Sequence, residues 1–470
     1  MMLAPFGNRR RHTSLNLRTS AQPTRRRMML GAGLAIAGVL GSSPLAACTA
    51  PGSPAQPPQP SKLSGTLHYM DWELGTAAAQ ERWKKVLERF HDKYPNITVE
   101  EDRTNLFYEK LPAVVAAGTP PDTANLRRQA EFPALVGKNT VRPIDTYLAK
   151  STILKRGDFY DKTLAMNSWQ GKLYALPTSA GLYVLYYNKN LFQERGLKVP
   201  DLTWDYDDFD AAAVKLTKHV GSDFQQAGVQ MPSWWIIHYL GNHDVGIWQG
   251  GLLDKSTCSR VNYDKPEVIA GYEWYQKHLC QLKTMEPMGD ASRTGFEQGT
   301  AAMRLSYIQI NTFQDKIGDQ FPWDVTLAPL GDKKKPRVQT IIGSGAAIFN
   351  ESKSPDLAWA WIEFMNDPQS ILEQIRLEGA SNVWPSKKVM ESKEYQSSKL
   401  PPGDKSVFIK GLEAAKFFPE ASWEMRAMGI QPPDTNLGKI FDCTGTPREV
   451  LSPAANAING TLRQAGVGCS

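Results

Sequence analysis

The sequence predicts an α/β protein with two lobes. Residues 66–72 (TLHYMDW) alternate apolar and polar side chains, which is typical of a half-buried strand. A helix follows, because apolar residues then recur at the spacing of one helical face, at Trp83, Val86, Leu87, Phe90 and Tyr94. Residues 97–102 indicate a second strand, and residues 108–118 indicate a second helix that ends at a glycine. Strands and helices in this order predict a parallel sheet with helices on its faces.

The same alternation returns in the second half of the chain, which is why two lobes are expected. Residues 181–188 have the pattern of an apolar strand, and an acidic cap opens a helical pattern over residues 203–219. Further helices are predicted over residues 267–279 and over residues 355–365, where a proline stands in the first turn. A chain of this length holds about two domains, and no internal repeat indicates a solenoid.

The beginning of the chain predicts export from the cytoplasm. Residues 25–27 are all arginine and precede an apolar run over residues 28–40, which is shorter than the roughly 20 residues that cross a membrane. Small residues then lead to Cys48. The arrangement resembles a bacterial lipoprotein signal with a twin-arginine character, in which residues 1–47 are removed and Cys48 carries the lipid. A plain secretory signal cut at the same place is the alternative, and the export route, Tat or Sec, stays open.

Residues 48–62 are interpreted as the lipidated cysteine and a tether. Five prolines fall in the 13 residues from 49 to 61, so this stretch is expected to be extended, with a reach of about 40 Å. Removal of residues 1–47 takes away seven arginines and no acidic residue, so the formal charge falls from +6 to −1. The 423 residues that remain of 470 therefore show no excess of positive charge, and no nucleic acid partner is predicted.

Five stretches in order resemble the extracellular solute-binding proteins of ABC transporters, and the sugar-binding group in particular. The most specific one is WQGKLYALPTSAGLYVLYYNKNLFQERGLKVPDLTW at 169–204, where a turn, a strand end, a helix and a Thr-Trp pair follow at the spacing of the family. The others are YPNITVEED at 94–102, AAGTPPD at 116–122, FEQGTAAM at 296–303 and SKSPDLAWAWIEFMNDP at 352–368. Together they extend the resemblance over about residues 65–465.

The resemblance implies a type II periplasmic-binding-protein-like fold, with two hinged lobes around a central cleft. It places residues 63–178 and 343–383 in the first lobe, and residues 179–342 and 384–470 in the second. It also implies a receptor without catalytic turnover, cofactor or metal, which captures a carbohydrate or a derivative such as a glycerol phosphate. The expected partners are this ligand and the permease of an ABC importer. The protein is expected to be a monomer outside the cytoplasm, held at the membrane by its lipid alone.

Candidate ligand-binding residues follow from the chemistry of a sugar. Its flat C–H faces need aromatic rings, and its hydroxyls need polar groups at the rim. Asp71 and Trp72 close the first predicted strand, and Arg127 ends a later one, so all three are expected at the edge of a crevice. The two adjacent tryptophans at 234 and 235 are expected to divide between core and site. The candidate tryptophans near segment ends are Trp234, Trp235, Trp248 and Trp423.

The family resemblance adds five candidates. Tyr183 falls in the segment where many members contact their ligand. Gly181 stands where a ligand-bonding carboxylate is common, so the hydroxyl contacts are expected to differ, with Ser179 as a substitute. Gln309 follows the FEQGTAAM block where the family usually has tryptophan, so an amide is expected to bind hydroxyls there. Gly343 begins the expected return crossing between the lobes.

Four cysteines follow Cys48, and their even number in an exported chain predicts disulfides. Three pairings are possible. Cys258 with Cys280 closes a loop of 22 residues and is preferred, whereas Cys443 with Cys469 requires a helical segment to fold back. All four fall in the expected second lobe, so no disulfide is expected to fix the hinge.

The alternative class is a secreted carbohydrate-active enzyme. A glycosidase needs two facing carboxylates, and Asp71 with a distant glutamate stays open. Residues 343–345 lack the spacing of a nucleophile elbow, and His238 and His243 are five residues apart instead of the four that align zinc ligands on a helix. The aspartates within residues 205–210 predict a helix N-terminus in preference to a calcium loop.

Overall fold

The computed structural model describes most of the chain beyond the expected tether. The described stretches are residues 62–72, 77–127, 131–251, 257–286, 294–418, 424–425, 428, 430–431 and 433–469. The expected leader, Cys48 and all of the tether except its last residue lie outside them, as does Trp423.

Strands and helices alternate through the first third of the chain, as the α/β prediction requires. The strands are β1 (Gly65–Asp71), β2 (Ile97–Arg103), β3 (Thr123–Arg127), β4 (Ser168–Trp169), β5 (Lys172–Leu173), β6 (Ala175–Asn188), β7 (Lys218–Val220), β8 (Asp223–Gln230), β9 (Trp248–Gln249), β10 (Arg260–Val261), β11 (Ala301–Tyr307), β12 (Trp323–Leu327), β13 (Gln339–Ile348) and β14 (Ala415–Lys416).

The helices pack on the faces of the sheet and occur throughout the second half of the chain. They are α1 (Ala77–Lys93), α2 (Phe107–Ala116), α3 (Glu131–Gly137), α4 (Asp145–Lys150), α5 (Asp161–Met166), α6 (Lys189–Glu194), α7 (Tyr206–Leu216), α8 (Trp235–Asn242), α9 (Pro266–Gln276), α10 (Ile310–Ile317), α11 (Pro355–Asn366), α12 (Pro368–Glu378), α13 (Lys387–Met390), α14 (Lys393–Gln396), α15 (Ser406–Glu413), α16 (Gly438–Phe441) and α17 (Pro447–Gln464). A short 3₁₀ helix covers Arg156–Asp158, and a π-helical turn over Lys277–Gln281 extends α9.

Local signals place the starts of α7 and α11 as predicted, whereas the helix expected over residues 203–219 ends earlier, at Leu216, and β7 begins at Lys218. The Asp205 carboxylate accepts from the backbone N–H of Asp208 at 3.0 Å, and the Asp208 carboxylate accepts in return from the N–H of Asp205 at 3.2 Å, so α7 begins with a capping box. Lys333 lies 3.2 Å and 2.7 Å from these two carboxylates. The acidic stretch therefore serves the helix, as expected. α11 likewise begins with Pro355 in its first turn.

One ten-stranded sheet runs through both halves of the protein. Its order is β2-β1-β3-β13-β6-β11-β8-β7, with β12 also paired to β6 and β14 to β13. The first three strands are parallel, as predicted. β13, however, is antiparallel to both β3 and β6, so the sheet is mixed. The two long strands β6 and β13 contain two of the three expected crossings between the lobes, and the lobe boundaries themselves stay a prediction.

Buried apolar side chains form four clusters in the described stretches. One cluster, on one face of the first three strands, contains Phe90 and Trp361, and another, on the opposite face, contains Phe107 and Phe132. The third, built around Trp235, includes side chains of α7, α9 and α17, and the fourth, around Tyr186, includes side chains of β11, β12 and α15. The first half of the sheet is thus covered by cores separate from those of the second half.

The disulfides join Cys258 to Cys469 and Cys280 to Cys443. All four cysteines are paired, as predicted, but the preferred pairing of Cys258 with Cys280 and of Cys443 with Cys469 is wrong. The reason is the path of the chain end, which returns after α17 and lies parallel to the segment at Ser259. There the Ser259 N–H donates to the carbonyl of Val467 at 2.9 Å, which brings the two cysteines together.

Replacing Cys258 and Cys469 together by serine is expected to lower the free energy of unfolding by about 2–4 kcal/mol, because the unfolded chain loses a cross-link. Denaturant unfolding of the oxidised protein measures this. Mass spectrometry of peptides from the unreduced wild-type protein checks the pairing, and a peptide that joins Cys258 to Cys280 contradicts it.

Candidate functional site

Three candidate residues lie at one edge of the first half of the sheet. Asp71 ends β1 and Trp72 follows it, while Arg127 ends β3. The two strands are parallel, so their carboxyl ends meet at the same edge. In open α/β sheets the crevice at this edge is where ligands bind.

The carboxylate of Asp71 is held by three donors. The Tyr69 hydroxyl donates to Oδ2 at 2.5 Å, the backbone N–H of Trp72 donates to Oδ1 at 2.8 Å, and the Asn125 amide donates to Oδ1 at 3.4 Å. Burial raises the pKa of Asp71, and these hydrogen bonds and the charge of Arg103 oppose that rise. The donors hold the carboxylate in one orientation, in which its remaining lone pairs can accept from a hydroxyl.

Trp72 lies between aromatic rings and a cation. Its ring centroid is 4.5 Å from that of Phe107 and 6.1 Å from that of Tyr108. The guanidinium carbon of Arg127 lies over the indole, 4.3 Å from the ring centroid. Glu131 accepts from the backbone N–H of Arg127 at 3.0 Å, which fixes the end of β3. Trp72 and Arg127 therefore form one stacked unit at the edge of the sheet.

A row of hydroxyls continues this edge across β13 and β6. Arg127 pairs with Ser344, and Ser344 pairs with Ser179, in the register of three adjacent strands. At the usual strand spacing the Cα atoms of Arg127 and Ser179 are about 10 Å apart. The Ser344 hydroxyl lies 2.9 Å from that of Ser179 and 3.3 Å from that of Thr178, and Thr178 also donates to Asn125 at 2.8 Å. Hydrogen bonds thus link the buried carboxylate of β1 to the hydroxyls of β6.

Aromatic rings follow further along the same face of β6. Ser179, Gly181 and Tyr183 alternate along the strand and so share one face. Tyr183 pairs with Tyr307 of β11, and the Trp234 ring centroid lies 5.9 Å from that of Tyr183 and 6.3 Å from that of Tyr307. Tyr307 is 42% exposed, so this group offers open aromatic surface about 13 Å along β6 from the serine row.

The two adjacent tryptophans divide as expected, and the prediction that Trp235 binds ligand is corrected. Trp235 is 0% exposed and packs in the core, with its ring centroid 5.7 Å from that of Tyr183. Trp234 is half-buried beside Tyr307. His238 lies under Tyr183 with their ring centroids 3.2 Å apart, and burial lowers its pKa, so this imidazole is neutral.

The remaining candidates are placed less favourably for ligand contact. Gly343 is buried, and a Cβ there would lie 2.4 Å from Cε of Met166, so its role is close packing of β13, which corrects the prediction that it binds ligand. Gly181 is partly exposed but close to Ile342. The Gln309 amide donates to Ser306 at 2.8 Å, which uses part of its hydrogen-bonding capacity. Trp248 of β9 packs against the cluster of Trp235.

Sequence reasoning missed several residues that the fold brings to the site. Asn125 lies two residues before Arg127 on β3, so the two side chains share a face. The alternation of side chains along a strand could therefore have pointed to Asn125. No local pattern marks Thr178, Ser344 or Tyr307, because they reach the site through pairing with distant strands. The residues added by the structure are Tyr108, Asn125, Glu131, Thr178, Tyr307 and Ser344.

A buried Asp–His–Thr arrangement holds α7 against α9. His278 lies 2.8 Å from Oδ1 of Asp210 and 2.6 Å from the hydroxyl of Thr284. His278 and Thr284 are both fully buried, so no substrate can reach this hydroxyl, and the arrangement is structural. Within the stretches that the structure describes, no three His, Cys, Asp or Glu side chains are grouped as a metal site.

Comparison with known proteins identifies the family. The model of the bacterial extracellular solute-binding proteins matches residues 76–371, which is more than half of the chain. The chain belongs to this family. One relative of this solute-binding protein, a putative binding protein of Brucella abortus (strain 2308), is 23% identical over 393 residues, which are 81% of this chain and 90% of the relative.

Solved structures show that the solute-binding protein has the two-lobed fold expected from its sequence. An ABC substrate-binding protein from Listeria monocytogenes in complex with cycloalternan has a TM-score of 0.70 at 18% identity, and the match covers 85% of this chain and 99% of that one. UgpB from Mycobacterium tuberculosis in complex with glycerophosphocholine has a TM-score of 0.69 at 16% identity, over 86% and 99% of the two chains. Among the described helices, none has the length and apolar character of a membrane span.

The Glu131→Gln substitution is expected to remove a pH-dependent loss of stability. Burial raises the pKa of Glu131 from 4.5 to about 7, against the opposing effect of the Arg127 backbone N–H. The folded protein therefore binds a proton that the unfolded chain has released, and stability falls as the pH rises between these two values. At pH 8 the variant is expected to be more stable than the wild type by up to about 3 kcal/mol, with no difference at pH 4.

Denaturant unfolding across this pH range measures the effect. Glu109→Gln, which removes an exposed carboxylate from α2, serves as the control. Parallel pH profiles for the wild type and Glu131→Gln contradict the prediction.

Proposed function

We propose that this solute-binding protein captures a carbohydrate outside the cytoplasm and delivers it to the permease of an ABC importer. The observation that carries the proposal is the combination of a stacked Trp72–Arg127 unit with a row of fixed polar groups at one edge of the sheet. The aromatic group of Trp234 and Tyr307 lies further along the same strand face. The family and its structural neighbours support this interpretation.

The arrangement matches the apolar faces and the polar rim of a pyranose ring. Aromatic rings stack on the apolar C–H faces, while ring hydroxyls need fixed acceptors and donors around the rim. In the proposed complex, Asp71 accepts from a sugar hydroxyl and Ser179 supplies a further hydroxyl contact. The Arg127 guanidinium, which lies over Trp72, donates to a sugar oxygen. Tyr307 and Trp234 supply the second aromatic surface, so that the ligand contacts both halves of the protein.

The site favours binding of a sugar without cleavage of its bonds. The second carboxylate at this edge, Glu131, is buried and accepts from the backbone N–H of Arg127, which leaves Asp71 as the one carboxylate among the described residues of this edge placed to contact the sugar. A glycosidase needs two carboxylates that both reach the glycosidic bond, one as acid and one as base or nucleophile. The proposed cycle is therefore closure around the sugar, which favours the closed state because only that state contacts it from both sides.

The proposed lobes are residues 63–178 with 343–383 and residues 179–342 with 384–470. The clusters around Trp361 and Trp235 each lie within one proposed lobe and support this division. The cluster around Tyr186 spans it, since that cluster also contains the first-lobe residues Tyr160, Met166, Ile371, Ile375, Ala380 and Val383. We further propose that Cys48 carries a lipid after removal of residues 1–47, so that a monomer is held at the outer face of the membrane and the tether gives it reach to the permease.

Expression of the full chain in a bacterium that processes lipoproteins tests the anchor. The wild-type protein is expected in the membrane fraction with a lipid on Cys48, detected by mass spectrometry of its N-terminal peptide. Cys48→Ser is expected to leave that fraction or to keep its leader. An unlipidated wild-type protein that begins near residue 48 contradicts the anchor and supports the plain secretory signal.

A thermal-shift screen of the mature protein tests the ligand class. Monosaccharides, oligosaccharides and glycerophosphodiesters are compared with polyamines and peptides, because a ligand that binds the native state raises the melting temperature. A carbohydrate or glycerol phosphate derivative is expected to stabilise the protein. For that ligand, Trp72→Ala is expected to weaken binding about 30-fold, or about 2 kcal/mol, by calorimetric titration.

Trp359→Ala is the matched control, since this half-buried indole stacks on Tyr147 in the first core cluster. It is expected to keep the wild-type affinity. Stabilisation by polyamines or peptides alone contradicts the ligand class, and formation of a shorter sugar during the titration favours the glycosidase.

A further inference from the structure

Arg82 and Asp315, which are far apart in sequence, form an ion pair between two helices. Nη2 of Arg82 in α1 lies 2.9 Å from Oδ2 of Asp315 in α10, and Nη1 lies 3.3 Å from Oδ1. This bidentate geometry makes the pair directional as well as attractive. The side chains are only 22% and 24% exposed, so water screens this pair less than a pair on the open surface.

The two helices pack in different cores. α1 buries Val86 and Phe90 in the cluster that contains Trp361. α10 buries Phe313 and Ile317 in the cluster that contains Tyr186. The ion pair therefore connects two helices that pack in different apolar clusters, and its formation depends on how closely these helices approach.

The position of the pair distinguishes it from contacts at the expected crossings. Lys388 of the proposed second lobe also lies 3.0 Å from Asp158 of the first lobe. That contact, however, is close in sequence to the expected crossing near residue 384. α1, in contrast, is the helix that follows Asp71 and Trp72, and α10 is the helix that follows Tyr307 and Gln309. Both helices thus continue from strand ends that form the proposed site, one from each half.

We propose that Arg82 and Asp315 form a latch that favours the closed receptor. The proposal rests on the two-lobed receptor proposed above and is independent of which carbohydrate it binds. Because the pair forms only when α1 and α10 approach, its free energy acts on the closed state alone. The latch raises the apparent affinity for ligand by raising the fraction of protein in the binding-competent state. It also makes closure sensitive to the ionic strength outside the cell.

The test measures closure without any sugar. Small-angle X-ray scattering of the mature protein reports the radius of gyration and the ratio of open to closed molecules. Arg82→Gln and Asp315→Asn are each expected to raise that ratio about fivefold. The double exchange Arg82→Asp with Asp315→Arg is expected to restore most of the closed fraction. Arg156→Gln is the matched control, because it breaks an Arg–Asp pair with Asp145 inside the first lobe.

A salt titration of the wild-type protein gives a second measurement that needs no substitution. Raising NaCl from about 0.1 M to about 1 M shortens the screening length from about 10 Å to about 3 Å, which is expected to open the wild type but not the single variants. Scattering that is the same for wild type and both single variants at both salt concentrations overturns the latch. A clear shift in scattering, with no carbohydrate active in the thermal screen, supports the latch and contradicts the proposed ligand class.

Discussion

The antiparallel pairing of β6 with β13 is the constraint on which the rest of the structure depends. The two strands are hydrogen-bonded from Ile341 opposite Leu182 to Ala347 opposite Ala175, with an irregularity at Ser344 and Gly345. Close packing requires glycine here, since a Cβ on Gly345 would lie 2.3 Å from Oδ1 of Asn167. With β3 on one side and β11 on the other, this pair sets the register of Arg127, Ser344, Ser179 and Tyr307 across four adjacent strands.

This register explains why a polar and an aromatic surface meet along one strand face. Where β6 lies beside β13, small side chains such as Ser179 leave the face open, and hydrogen bonds extend from there to Asp71. Where β6 lies beside β11, the same face enters the core at Tyr183, which rests on a neutral histidine and positions Trp234 at its rim. In the proposed complex, a ligand that spans the two regions contacts both halves of the protein, and the proposed latch between α1 and α10 acts on the same closed state.

The second half of the protein is held by more than its apolar core. Two disulfides attach the segments before and after the final helix to the region around α9, with sequence separations of 211 and 163 residues. The buried His278 contacts Asp210 on one side and Thr284 on the other. Both sets of bonds lie within the proposed second lobe. They stiffen that lobe as a body, while no disulfide among the described residues joins it to the first.

The sequence by itself determined the features that depend on near neighbours. Side-chain periodicity predicted β1 and α1, an acidic cap predicted the start of α7, and ordered family motifs predicted the fold. Strand ends predicted Asp71, Trp72 and Arg127 as a group, because parallel strands meet at one edge. Only the tertiary structure decided the disulfide pairing, the burial of Trp235 and Gly343, and the meeting of Arg82 with Asp315. These outcomes join residues whose separation along the chain exceeds any local pattern, so they depend on the path of the whole backbone.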